Sequence, residues 1–169
     1  MIERLNGAID AIKKEAPDLT KRLALTAKDK IEERVKEKGV GEYSTNPVPT
    51  FFFYGKSRNQ GGRDLIDKKE ENNEGIYWGE FRKAQGLQSD HVDLTYSGRM
   101  FANIKLTNLR NNQFYFIATI APDIVDEIKK LGYQTDRYGD FLVLTPEQDK
   151  DITELGQLEF DHILNRFFK

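Results

Sequence analysis

From Ile2 to Lys38 the chain carries the rhythm of a helix. Leu19, Leu23, Ala27, Ile31 and Val35 recur every four residues and draw one apolar stripe that drifts slowly around the axis. Lys21, Arg22, Lys28, Lys30, Glu32, Glu33 and Lys36 occupy the other face. Pro17 predicts a break or a kink, or else the first residue of a second helix, where its missing N–H costs nothing. Gly39 is the expected stop.

The pattern changes after a linker from Gly41 to Pro49. Thr50–Tyr54 (TFFFY) is an apolar run of strand length. Three consecutive Phe put rings on both faces of such a strand, so either both faces are buried or one faces another protein. Gly55 to Gly75 is polar and rich in Gly and Asn, with Leu65 and Ile66 as its only aliphatics. Its length predicts an extended arm or a mobile hairpin tip.

Ile76 to Leu87 holds the only Trp, Trp78, and a short amphipathic turn. Val92 and Leu94 alternate with polar residues as in a strand, and Ser97 is placed to cap a short turn of helix. Ser97 and Gly98 form a tight corner, after which Met100, Phe101 and Ile104 point to a core. Ile104–Leu109, a turn at "NNQ" and "FYFIATI" (Phe114–Ile120) predict a β-hairpin. Pro122 is expected to open a helix through Leu131, with Ile124, Val125, Ile128 and Leu131 inward and Gly132 at its end. Asp140–Leu144 (DFLVL) reads as another strand. Thr145 caps the last helix, with Pro146 at its first position and Glu147 in its first turn. Ile152, Leu155, Leu158, Ile163, Phe167 and Phe168 supply its apolar residues, and Gly156 weakens the pattern of one unbroken helix. The fold class expected is α+β. It combines a long N-terminal helix, a small, mostly antiparallel sheet with a protruding arm, and a C-terminal helix. One domain is expected over 1–169, with a helical region at 1–39, the arm at 55–75, and the sheet and C-terminal helices at 76–169.

Composition narrows the chemistry. Of the 169 residues 38% are hydrophobic and 32% charged, a globular balance rather than a disordered one. The net charge of −2 provides no global basic excess for nucleic acid. The absence of cysteine excludes disulfides, thiol catalysis and thiolate-bound metals. The first residues lack the pattern of a signal peptide, and no apolar run approaches the roughly 20 residues of a membrane helix, so a soluble chain is expected.

His91 and His162 have no second ligand at metal spacing. Glu159 and His162 stand three apart on the last helix, a spacing found in carboxylate metal sites that draw on several helices; a solvated helix face accounts for it equally. "GKSRNQGG" has the wrong order for a phosphate loop, and no Ser sits in a nucleophile elbow. Asp64 and Asp67, in the acidic run "DLIDKKEENNE", are candidate carboxylates for a divalent metal, or simply keep a loop soluble.

The order of segments carries more. Trp78 precedes the basic, Gly-containing link "FRKAQG". Leu94 and "YSGRMFANI" follow, then "FYFIATI", "DEIKKLGYQTDR" and "DFLVLTPEQDKDI". This order resembles the tailed-phage virion-morphogenesis, or tail-completion, proteins, which belong with the ring-forming head–tail connector and neck proteins. The resemblance spans roughly residues 75–169, about half to two-thirds of the chain. Arg137 stands four residues before Phe141, where the family places an Arg directly before Phe-Leu, and the 55–75 segment is long for the family.

The resemblance implies a structural virion subunit with no enzymatic activity and no cofactor. It implies a homo-oligomeric ring that joins portal or adaptor to tail, located in the virion neck and made in the bacterial cytoplasm. DNA would pass through the channel without specific binding. Phe51, Phe52, Phe53, Lys56, Arg58, Arg63, Leu65 and Ile66 are then the residues expected to contact a neighbour. Two other classes remain open: a small metal-dependent nuclease or hydrolase using Asp64 and Asp67, and a monomeric protein-binding module.

Overall fold

The computed structural model describes residues 1–94, 99–111, 116–122 and 125–168. Helix α1 spans Ile2–Lys38, and a single 3₁₀ turn covers Thr50–Phe53. Helices α2 (Gln60–Glu71), α3 (Trp78–Ala84) and the short α4 (Arg99–Ala102) follow. Strands β1 (Ile104–Asn111) and β2 (Phe116–Pro122) precede α5 (Val125–Tyr138) and α6 (Pro146–Phe168). Contacts gather the chain into two units, Met1–Lys36 with Thr95–Lys169, and Glu37–Leu94.

The first unit is built on α1 and α6. Three ion pairs set their register: Lys30 to Asp151 at 2.7 Å, Arg22 to Glu159 at 3.0 Å, and Arg166 to Glu15 at 2.7 Å. A step of eight and then seven residues back along α1 matches the same steps forward along α6, as two antiparallel helices require. Ile31 and Val35, the end of the predicted stripe, are buried, as is Ile163 of α6. The helix continues through Pro17, which neither breaks it nor starts a new one. Long flanking segments of good helix formers outweigh one missing hydrogen bond. Gly39 terminates α1 in the left-handed region, at φ 72°.

Helix α6 begins with a reciprocal cap. The Gln148 N–H donates to Thr145 Oγ1, and the Thr145 N–H donates to Gln148 Oε1, both at 3.2 Å. Gly156 does not interrupt the helix. A Cβ there would stand 3.3 Å from Leu23 Cδ1, so the missing side chain leaves room for the Leu23 side chain of α1.

The sheet is smaller than the pattern suggests. Among the described residues it is one antiparallel hairpin, with Ile104 opposite Pro122, Asn111 opposite Phe116, and an irregularity between Leu106 and Asn108. The described residues are mostly helical, and among them no antiparallel sheet forms a main layer. Asp140–Leu144 forms a turn rather than a strand. Six residues, 139–144, link the end of α5 to the cap of α6, and among the described residues no strand pairs with them. Phe141 is nevertheless buried, and its carbonyl accepts from Arg34. Pro122 closes β2 instead of opening a helix. Helix α5 passes through Gly132 to Tyr138, because one glycine costs only about 1 kcal/mol in a helix. It stops at Gly139, φ 77°, whose N–H donates to the Thr135 carbonyl at 2.9 Å.

Several expectations lie outside the described residues: the Ser97–Gly98 corner, Asn112 and Gln113 of the turn, Phe114 and Tyr115 of the strand, and Ile124. The side chains of Met100, Val125, Ile128 and Leu131 lie outside them too. Phe101 and Ile104, at the end of that corner, are buried as predicted.

Candidate interaction surface

The second unit is closed by its own ends. Val40 N–H donates to the Val92 carbonyl, and Val92 N–H to the Gly41 carbonyl, each at 2.8 Å. Val48 and Ile76 form an isolated antiparallel bridge within it. Val92 and Leu94 therefore belong to a loop edge and not to a regular strand. Gly39 lies against His91: a Cβ there would come within 2.5 Å of the imidazole Cδ2.

The TFFF run decides the unit's chemistry. It is a 3₁₀ turn and not a strand. The reason is tertiary: Phe53 is fully buried, 4.9 Å from Trp78 and 4.5 Å from Phe81 between ring centroids. With about three residues per turn, a 3₁₀ segment aims one ring inward and swings its neighbours outward. Phe51 and Phe52 are 60% and 49% exposed, stacked with centroids 4.6 Å apart. Lys56 Nζ donates to the Phe52 carbonyl and lies 5.9 Å from the Phe52 ring. Tyr54 is also exposed, and its hydroxyl donates to the Glu70 carboxylate, which raises the phenol pKa above its usual value.

The 55–75 segment is a helix for most of its length and not an extended arm. Asn59 supplies what composition concealed: its Oδ1 accepts the Gly62 N–H at 3.1 Å and starts α2. Its Nδ2 donates to the Gln85 carbonyl at 2.9 Å, tying α2 to the end of α3. Gln85 Oε1 in turn accepts the Arg58 backbone N–H at 2.8 Å. Gly61 and Gly62 allow this contact. A Cβ on Gly61 would stand 2.2 Å from the Ala84 carbonyl oxygen, and one on Gly62 would stand 2.5 Å from Ser57 Oγ. In the last turn of α2, the Lys69 ammonium bridges Glu74 at 2.9 Å and Glu80 at 3.3 Å. The Glu74 hydrogen bond raises the Lys69 pKa, and the same bond lowers that of Glu74.

The residues singled out in the sequence thus part company. Phe53 and Ile66 are core side chains, and Leu65 is half-buried. Phe51, Phe52, Lys56, Arg58 and Arg63 are exposed. Asp64 and Asp67 are exposed on α2, with Asp64 accepting from Gln60 Nε2 at 2.6 Å. Among the described residues no three His, Asp or Glu side chains gather as a metal site. His162 stays apart from any such group, and Glu159 is paired with Arg22.

Sequence reading missed the polar centre of the unit. Arg82 and Asp93 form an ion pair at 2.8 Å with side chains only 5% and 8% exposed. Arg82 Nε also donates to the Gln88 carbonyl at 2.6 Å, and the guanidinium lies 5.8 Å from the Tyr43 ring centroid. The sequence carried no signal for it: Phe81 already supplies the inner face of α3, so an adjacent Arg reads as solvent-facing. No helix among the described residues is long and apolar enough to cross a membrane. No protein-family model, curated protein or solved structure matches the chain.

Proposed function

We propose that this protein is a structural subunit of a phage neck, a ring-forming connector or tail-completion protein that acts by assembly and not by catalysis. The observation that carries this reading is the stacked Phe51–Phe52 pair, held outward by the burial of Phe53. A rigid anchor of aromatic side chains beside a positive charge is the kind of group that dominates protein interfaces. The order of motifs from Trp78 to the capped α6 supports the same class, as does the α1/α6 pair, cross-linked by three ion pairs as the wall of a ring requires. In such a ring, identical subunits make head-to-tail contacts that close.

Light scattering of the purified chain across a concentration series, alone and with an isolated portal–adaptor complex, tests this. A discrete closed oligomer, or stoichiometric recruitment to the complex, is the expected result. A chain that stays monomeric and ignores the complex overturns it.

A further inference from the structure

Two exposed surfaces of opposite character lie in the two units. The stretch Thr50–Arg63 carries three basic side chains and no acidic one, and it holds the exposed Phe51–Phe52 pair. Helix α6 carries six carboxylates against two basic side chains. Its outer face exposes Leu158 to 68%. Glu154, Leu158 and Asp161 fall at i, i+4 and i+7, so acid, aliphatic and acid share one exposed stripe.

We infer that the aromatic pair of one copy docks on the outer face of α6 in the next copy. Phe51 and Phe52 cover Leu158, while Lys56 and Arg58 meet Glu154 and Asp161. This rests on the subunit reading above and names the surfaces through which it works. Two different patches of complementary charge suit a head-to-tail contact, in which each copy offers one patch to each of two neighbours until the ring closes. Size agrees with this division of roles. Phe51, Phe52 and the adjacent Tyr54, about 200 Å² each and about half exposed, leave on the order of 300 Å² of apolar surface uncovered. A stable contact buries about 800 Å² per partner, so the rings form its centre and the charged flanks its rim.

The experiment is sedimentation velocity of the full chain at low and high salt, with circular dichroism as the folding control. Lys56→Glu with Arg58→Glu should weaken self-association about tenfold or more, as should Glu154→Lys with Asp161→Lys. All four changes in one chain should restore it, because the rim charges are exchanged and not lost. Added salt should weaken the wild-type contact. Self-association unaffected by either pair, or lost in the pairs and not restored by their combination, overturns the docking while leaving the subunit reading intact. A wild-type chain that forms no oligomer alone or on the portal–adaptor complex overturns both.

Discussion

Arg82 and Asp93 show how far one residue pair can govern a small unit. Removing two charges from water is costly, and here the Arg fork recovers that cost through the carboxylate, the Gln88 carbonyl and the Tyr43 ring. Arg82→Met takes the guanidinium away from the buried Asp93 carboxylate, and should lower stability by about 3–5 kcal/mol in urea unfolding. Replacing both, Arg82→Met with Asp93→Leu, should cost much less. Glu32 is a milder case. Partial burial pushes its carboxyl pKa up, but hydrogen bonds from Lys36 and Lys28 more than offset this and hold it below the usual value. A carboxylate with a depressed pKa stabilises the fold above its unfolded pKa and loses that contribution as pH falls through the folded one. Glu32→Gln should therefore cost about 0.5–1 kcal/mol at neutral pH, and the difference from wild type should fade as pH drops from neutral into acid through the folded pKa. Thermal unfolding over that pH range measures it.

At the scale of elements, caps decide where helices begin and close packing decides where they continue. Asn59 starts α2 and simultaneously holds α3, so Asn59→Ala should cost about 1 kcal/mol or somewhat more than an isolated cap. Thermal unfolding followed by near-ultraviolet circular dichroism of Trp78 reads it. The capping signals at Gly39 and at Thr145–Pro146 were legible in the sequence because they depend on a few consecutive residues. The Asn59 cap was equally local, yet Gly61 and Gly62 hid it: both are poor helix formers. Their presence makes sense only once Ala84 and Ser57 are seen against them.

For the molecule as a whole, the division into two units has a measurable consequence. Each has its own buried side chains: Phe53, Ile66, Ile76 and Phe81 in one, Ala8, Ile31, Phe141 and Ile163 in the other. Native-state hydrogen exchange should resolve two cooperative blocks. Arg82→Met should raise exchange across residues 37–94 well before it reaches the α1/α6 pair. Uniform loss of protection along the whole chain would show one cooperative unit instead.

Periodicity along the chain was enough to place α1, the α6 cap and the β1/β2 hairpin, because helix stripes, caps and alternating strands are set by neighbours within a few residues. Fold class was legible only coarsely: the two long helices, but a sheet that shrinks to a hairpin among the described residues. Which ring of Phe51–Phe53 goes inward was decided by Trp78 and Phe81, some 25 residues further on. The same long-range packing made Gly156 a contact with Leu23 and not a break, and drew Arg82 to Asp93. A short apolar run fits a strand or a turn equally well until another part of the chain supplies the surface it must cover.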